Sequence, residues 1–198
     1  MKIGLISDTH VPSMGESPPV EIIDAFNGVD LILHTGNIHV PSALDWLETI
    51  APVKAAGSID GDRFESPENF SIECQGDPRV SPIQILEIEG HKIGVINNLL
   101  INEIDDELRP GVIEKQIKNK PELNFPKMIE SIFDTPINIV VFGRMNYAMI
   151  EEHQGILFIN SGSPVLPRNL RKLGNVGILD LTIGQRKASI LELSQFTK

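Results

Sequence analysis

Asp8 and His10 place a carboxylate and an imidazole two positions apart, directly after an apolar segment. A carboxylate and an imidazole on one loop form a donor pair that suits Mn, Fe or Zn. The pair alone is a weak signal, because an Asp at the end of a strand also caps turns and helices. It predicts a metal site only if other polar loops meet it.

Further polar segments also follow apolar stretches of the chain. They cover residues 35–37, 57–60, 97–98, 143–146 and 160–163. In open α/β sheets, ligands bind outside the carboxyl ends of the strands, so we expect these loops to converge on one crevice. Each Asn in them also fits ordinary turn chemistry, since Asn tolerates a left-handed backbone. We interpret His34, His91 and His153 as structural or surface residues and leave the role of His39 open.

The elements that must position these loops follow from hydrophobic periodicity. Strands are predicted at 3–6, 31–34 and 53–56, with helices from Pro18 to Phe26 and over 41–50, which predicts a parallel, doubly wound beginning. Later strands are predicted at 83–88, 92–96, 137–142, 156–159, 176–181 and 189–193. The later pattern indicates sheets packed on one another. A polar, charged stretch at 102–121 precedes a predicted helix at 127–133.

Composition narrows the class of protein. A chain of 198 residues with 41% hydrophobic residues is expected to form one domain over 1–198. The net charge of -10 disfavours nucleic acids and anionic membranes as partners, because it repels phosphate groups. A single cysteine fits a reducing compartment. The sequence shows neither a signal-peptide pattern nor an apolar run long enough to cross a bilayer, so we expect a cytoplasmic protein.

Taken in order, the polar loops resemble the five motifs of the calcineurin-like metallophosphoesterases, especially the small phosphodiesterase branch of bacteria and archaea. That pattern runs Asp-x-His, Gly-Asp, Gly-Asn-x-Asp, a His-Gly pair and Gly-His-Thr-His, followed by an Asn-Pro-Gly-Ser turn. The first motif is intact at residues 8–10 and the last turn is nearly intact at 160–164. The resemblance covers nearly the whole chain. It implies an α/β fold, a four-layer α-β-β-α sandwich of two mixed β-sheets flanked by helices.

The middle motifs depart from the family pattern at ligand positions and keep the glycines that shape the loops. Asn37 matches the Asp that bridges both metals, and a neutral amide cannot bridge two dications comparably. The resemblance leaves a residual first metal site of Asp8, His10, Asn37 and Asn146. At the second site it implies that the ligands are lost, because those positions hold Ser58, Asn97 and Arg144.

Arg144 matches one of the two fifth-motif His residues and places a permanent cation where a dication would sit. It would repel a metal, and its planar fork suits a carboxylate or a phosphate. We therefore expect Arg144 and Asn98 to bind phosphate or another ligand, and pairing between Arg144 and Asp8 is a further expectation. Asp60 and Asp62 are either spare ligands or organisers of their loop.

Three functions stay open. In the first, a degenerate phosphoesterase-fold protein binds another protein or a phosphorylated small molecule through the old cleft. The retromer complex's phosphoesterase-fold subunit, a scaffold, also carries Thr-Gly-Asn as here at 35–37. In the second, one weakly bound Mn, Fe, Zn or Ni ion supports slow phosphoester hydrolysis, with Arg144 as charge stabiliser. The third is an unrelated α/β binding domain. Exposed edge strands leave a homo-oligomer open as well.

Overall fold

The computed structural model describes residues 1–60, 71–104, 106–166 and 169–197. In chain order the first elements are β1 (Lys2–Ile6), α1 (Glu21–Ala25), β2 (Leu31–His34), α2 (Pro41–Glu48), β3 (Val53–Ala56), β4 (Ile59–Asp60), β5 (Ser71–Ile72), β6 (Val80–Ser81), β7 (Ile83–Ile88) and β8 (His91–Ile96). They continue with α3 (Val112–Asn119), α4 (Phe125–Phe133), β9 (Ile139–Phe142), β10 (Ala148–His153), β11 (Ile156–Ser161), β12 (Val165–Leu166), β13 (Asn169–Leu173), β14 (Asn175–Thr182), β15 (Gln185–Glu192) and a 3₁₀ turn (Leu193–Phe196). None of the described helices is long and apolar enough to span a bilayer.

Two mixed sheets dominate the fold. The first has the order β15-β14-β1-β2-β3-β6, in which β1, β2, β3 and β6 are parallel and β14 pairs antiparallel with both β1 and β15. The second has the order β10-β11-β9-β8-β7, with β8, β9 and β11 parallel between antiparallel edges. The predicted pair of mixed sheets is confirmed.

Alternation along the strands builds three apolar cores. Ile3 and Leu5 of β1 pack with Ile139 and Val141 of β9 in the core between the sheets. Successive side chains of a strand point to opposite faces of the sheet. In β2, Leu31 and Leu33 therefore face the core between the sheets, and Ile32 faces an outer core. One outer core covers α1 and α2 and the other covers α3 and α4. The result is the four-layer α-β-β-α sandwich that the resemblance implies.

Some elements differ from the sequence predictions. The stretch predicted as a polar, charged connection contains α3, whose buried Ile113 faces the outer core and whose Glu114 and Lys118 pair one turn apart at 2.7 Å. Strand β10 was not predicted, because charged Glu151 and Glu152 interrupt its apolar pattern. The helix predicted at 127–133 begins at Phe125, where the Asn124 side chain accepts a hydrogen bond from the backbone N–H of Lys127.

The carboxyl ends of parallel strands from both sheets meet at one edge of the sandwich. The Asn97 amide at the end of β8 donates to the Thr35 carbonyl at the end of β2 at 2.7 Å. Gly143 follows β9, and a Cβ there would contact the Ser7 hydroxyl and lie 2.6 Å from the Thr35 carbonyl. Only glycine allows this close approach, so the loops of the two sheets form one continuous surface.

Candidate functional site

Asp8 is fully buried, and its carboxylate is satisfied by donors from three loops. Oδ1 accepts a hydrogen bond from Asn37 Nδ2 at 2.5 Å, and Oδ2 accepts one from the Ser7 hydroxyl at 2.6 Å. The backbone N–H of Arg144 also donates to this carboxylate. Burial raises the pKa of Asp8, and the hydrogen bonds together with nearby His10 offset part of that rise.

His10 lies beside Asp8 and contacts a second imidazole. Its Nε2 is 3.8 Å from Asp8 Oδ1, and its Nδ1 is 2.9 Å from His39 Nε2. Burial lowers the pKa of His10, opposed chiefly by the Asp8 carboxylate. His39, whose role the sequence leaves open, therefore belongs to the site through its contact with His10.

His34 is a buried, neutral imidazole that hydrogen-bonds to the loops after β1 and β2. The backbone N–H of Gly36 donates to Nδ1 at 3.1 Å, which makes Nε2 the protonated nitrogen. Nε2 then donates to the Thr9 hydroxyl, also at 3.1 Å. Complete burial lowers the pKa of His34 to about 3. This geometry matches the structural interpretation of His34 made from the sequence.

Glu73 joins two of the loops and was missed by sequence reasoning. Its carboxylate accepts hydrogen bonds from the backbone N–H groups of Ile38 at 2.8 Å, His39 at 3.2 Å and Ser58 at 2.7 Å. Glu73 thus holds half-buried Ser58 beside the Asn37 loop. No motif marks it, because its partners lie 15 to 35 residues away along the chain.

The amides of the later motifs have different surroundings. Asn97 is 5% exposed and its amide is used to tie β8 to the Thr35 carbonyl. Asn160 holds its own turn, because its Oδ1 accepts from the Gly162 N–H at 2.9 Å. Asn146 Oδ1 is buried and accepts no hydrogen bond from any described residue. Asn146 is therefore the amide of this set with an acceptor still available.

Arg144 is exposed, and the expected pairing of its guanidinium with Asp8 is wrong. The backbone N–H of Arg144, not its side chain, reaches Asp8. Arg144 has a left-handed backbone (φ 68°), and no described carboxylate lies within salt-bridge distance of its guanidinium. Arg144 and Asn98 line one cavity. The Asp60 side chain and Asp62 lie outside the described residues.

Left-handed backbone conformations are concentrated in these loops. Of the ten described non-glycine residues with positive φ, six lie here: Asp8, His10, Asn37, His39, Arg144 and Asn146. Such a conformation costs roughly 1–3 kcal/mol per residue and persists only where the surroundings enforce it. The loops are therefore held in a defined shape by their hydrogen bonds, a feature typical of functional sites.

Comparison with known proteins identifies the family. The chain matches the calcineurin-like phosphoesterase superfamily domain over residues 1–183. It belongs to that superfamily. A probable metallophosphoesterase of Methanothermobacter thermautotrophicus is 30% identical over 169 residues, which cover 85% of this chain and 80% of that protein. A probable metallophosphoesterase of Methanocaldococcus jannaschii is 28% identical and covers 85% of this chain and 70% of that protein.

Several solved structures share the fold of this chain. Vps29 of Entamoeba histolytica, in a single-mutant form, has a TM-score of 0.62 at 19% identity and covers 97% of this chain and 99% of its own. Wild-type Vps29 of the same organism, complexed with Zn²⁺, has a TM-score of 0.59 at 20% identity, with 98% and 99% coverage. An archaeal phosphodiesterase has a TM-score of 0.56 at 17% identity, with 96% and 100% coverage.

The donor set of this site bears on whether it can hold a metal ion. Among residues 1–60, 71–104, 106–166 and 169–197, no group of three or more His, Cys, Asp or Glu is placed to hold a metal ion. Asp8 and His10 form the available carboxylate and imidazole pair. His39 contacts His10, and the Glu73 carboxylate accepts three backbone N–H groups. The other polar groups nearby are amides, a hydroxyl and a guanidinium.

Proposed function

We propose that this chain uses its phosphoesterase cleft to bind a partner protein or a phosphorylated small molecule, without two-metal hydrolysis. The hydrogen bond of 2.5 Å from Asn37 Nδ2 to Asp8 Oδ1 carries the proposal. Asn37 stands at the family's bridging position, where a carboxylate would share its oxygens between two cations. Here an N–H donor faces the remaining carboxylate and uses the oxygen that a metal would need.

The chemistry of the second-metal positions supports the same proposal. Asn97 has its amide committed to the Thr35 carbonyl, and Ser58 offers a neutral hydroxyl. Arg144 adds a permanent positive charge, which repels a dication. A pair of metals does not fit this donor set, because the single carboxylate of Asp8, among neutral and cationic groups, would have to balance four positive charges.

The shape of the cleft and the charge at its mouth support binding. Hydrogen bonds among the described residues hold the strained loops, as the contacts of Asp8 and Glu73 illustrate. The exposed guanidinium of Arg144 offers a bidentate donor to a phosphate or carboxylate. The fold itself occurs in Vps29 proteins as well as in a phosphodiesterase, so it accommodates different functions.

A hydrolase with one metal ion is the second candidate, and the unpartnered Oδ1 of Asn146 favours it. Asp8, His10 and this amide oxygen offer a mixed O/N set for one Mn, Fe, Zn or Ni ion, with Asn37 as a neutral fourth group. A divalent ion there would polarise a phosphoryl oxygen. Arg144 would then stabilise charge on the phosphate ester. With one carboxylate, such a site binds its metal weakly.

Hydrolysis of bis(p-nitrophenyl) phosphate separates the two candidates. The native chain and an Asp8→Ala variant are assayed with Mn²⁺, Zn²⁺, Ni²⁺ and Fe²⁺ at equal concentrations. The binding proposal predicts equal, background release of p-nitrophenol from both. Native turnover that disappears in Asp8→Ala would overturn it and support the single-ion hydrolase.

A variant with restored ligands serves as the positive control. It combines Asn37→Asp, Asn97→His, Arg144→His and Asn146→His, which returns four of the ligand side chains of the family pattern. We expect this variant to bind Mn²⁺ more tightly than the native chain, because ligand charge and basicity increase. Native Mn²⁺ affinity equal to that of the restored variant would argue against the proposed loss of the metal site.

A further inference from the structure

A cavity of about 220 Å³ lies next to the metal-motif loops. Its walls come from the loop after β8, the segment that precedes α3, and the loop after β9. The described lining residues are Asn98, Leu99, Leu100, Ile101, Ile104, Asp106, Glu107, Leu108, Phe142, Gly143, Arg144 and Met145. Arg144 therefore stands at the boundary between this cavity and Asp8, which its backbone N–H contacts.

The floor of the cavity is apolar and already formed. Leu99, Leu108 and Phe142 are at most 5% exposed and belong to the outer core around α3 and α4. An apolar protein cavity of about 150 Å³ is large enough to take up benzene. This cavity is larger, so it accommodates one ring or a short branched chain.

The charges around the cavity leave one cation unpaired. Asp106 lies 3.6 Å from Lys115, and Glu107 lies 2.6 Å from Arg109, so each of the two lining carboxylates has a cationic partner. The Arg144 guanidinium has no such partner among the described residues. Its planar fork matches the two oxygens of a carboxylate or a phosphate.

Asn98 adds a neutral donor beside this cation. It is half-buried, it lines the same cavity, and its side-chain amide makes no hydrogen bond to any described residue. Asn98 and Arg144 thus line the same cavity with donors that no described residue uses, and an oxyanion is the group that accepts from both an amide and a guanidinium.

We propose that this cavity binds a small molecule that joins one oxyanion to an apolar body about the size of a ring. Arg144 and Asn98 hold the oxyanion, and Leu99, Leu108 and Phe142 enclose the apolar body. The inference rests on the proposed binding role of the cleft and adds the class of ligand. It involves binding alone, with no bond broken.

Titration calorimetry of chelator-treated protein tests the ligand class. The probes are phenylphosphonate, benzoate, inorganic phosphate and benzyl alcohol. We expect phenylphosphonate or benzoate to bind at least tenfold more tightly than phosphate or benzyl alcohol, because these two controls each lack one half of the ligand. The tighter of the first two probes identifies the oxyanion. If neither aryl probe binds more tightly than inorganic phosphate and benzyl alcohol, the proposal is overturned.

Two variants test the assigned residues. Arg144→Gln should weaken binding of the better aryl probe about tenfold to a hundredfold, as loss of a charged hydrogen-bond donor does. Met145→Trp should weaken it by filling the cavity, with the unfolding midpoint measured to verify the fold. The matched charge control is Lys118→Gln on α3, whose ammonium pairs with Glu114 outside the cavity, and it should bind as the native chain does. Unchanged affinity in Arg144→Gln would overturn the proposal.

The outcome also separates this inference from the proposed function. Metal-dependent turnover of bis(p-nitrophenyl) phosphate would contradict the proposed function whatever the cavity binds. Absence of both turnover and aryl-probe binding would contradict the cavity proposal alone.

Discussion

The two corners of the candidate site share a backbone geometry and differ in side-chain chemistry. The first corner, built on β1 and β2, carries Asp8, His10 and Asn37 with left-handed backbones, and it uses most of its polar groups internally. The facing corner, built on β9, carries Arg144 and Asn146 with the same backbone sign but leaves a guanidinium and an amide oxygen unused. Loop shape and ligand chemistry are therefore separable, because glycines and backbone hydrogen bonds fix the shape.

The largest expected effect on stability concerns the backbone shape of the loops that form both corners. Gly36→Ala should lower the free energy of unfolding by about 3 kcal/mol, because its φ is +89° and a Cβ would meet the Asn97 amide and the Ala56 carbonyl. Gly90→Ala is the matched control, since its φ is +76° and nothing lies within 4 Å, so about 1 kcal/mol is expected. Urea denaturation measures both. Equal losses of stability in the two variants would mean that the close approach of Gly36 to Asn97 and Ala56 does not fix the shape of the loops.

The second effect is the pH dependence of stability that arises from His34, which hydrogen-bonds to the loops of the first corner. His34 has a pKa lowered to about 3, so the unfolded chain binds a proton that the folded chain excludes between that value and about 6.5. Stability from His34 is thus present at neutral pH and is lost as the pH falls below 6.5. Between pH 7 and pH 5 the loss is about 2 kcal/mol.

His34→Gln provides the comparison for this pH dependence. Gln keeps an acceptor and a donor but does not titrate. Denaturation at pH 7 and pH 5 should therefore show that the free energy of unfolding falls by about 2 kcal/mol less in this variant than in the native chain. The lowered pKa of His10 adds to the fall in both proteins. Identical pH slopes would contradict the buried, neutral imidazole.

Asn37→Asp sharpens the contrast in ligand chemistry. Without metal, the new carboxylate replaces a hydrogen bond to Asp8 with like-charge repulsion and should destabilise the protein by about 1–2 kcal/mol at pH 7. Added Mn²⁺ should reverse part of this loss, because two adjacent carboxylates attract a dication. The control is Asn102→Asp at an exposed position. A stability unaffected by Asn37→Asp in chelator would contradict the assigned contact.

The smallest effect belongs to the facing corner. Arg144→Gln should change the free energy of unfolding by less than about 0.5 kcal/mol, because the side chain is exposed and has no partner among the described residues. Asn97→Ala, which leaves the Thr35 carbonyl without its donor, should lose about 1–2 kcal/mol. Chemical denaturation of both variants measures the difference. A large loss in Arg144→Gln would reveal a structural ion pair.

Much of the fold was predictable from the sequence. The strands at 31–34 and 53–56 were predicted at their observed bounds, because buried parallel strands form short apolar runs between turn residues. Helix α3 was missed, since few apolar residues mark its buried face. Strand β10 was missed because it lies at a sheet edge, where charged side chains are tolerated.

The contacts within the site were less predictable. Topology brings Asp8 and Asn37 together at adjacent strand ends, as the motif order implies. The sequence does not reveal that Arg144 reaches Asp8 through its backbone, because that depends on the local φ. It also does not reveal Glu73, whose partners are distant along the chain.

Isothermal titration of metal-stripped protein with Mn²⁺ tests the central claim most directly, because it counts the ions that the site holds. Loss of the two-metal site predicts no tight binding and at most one weakly bound ion per chain. Tight binding of two Mn²⁺ ions per chain, abolished in Asp8→Ala, would contradict it.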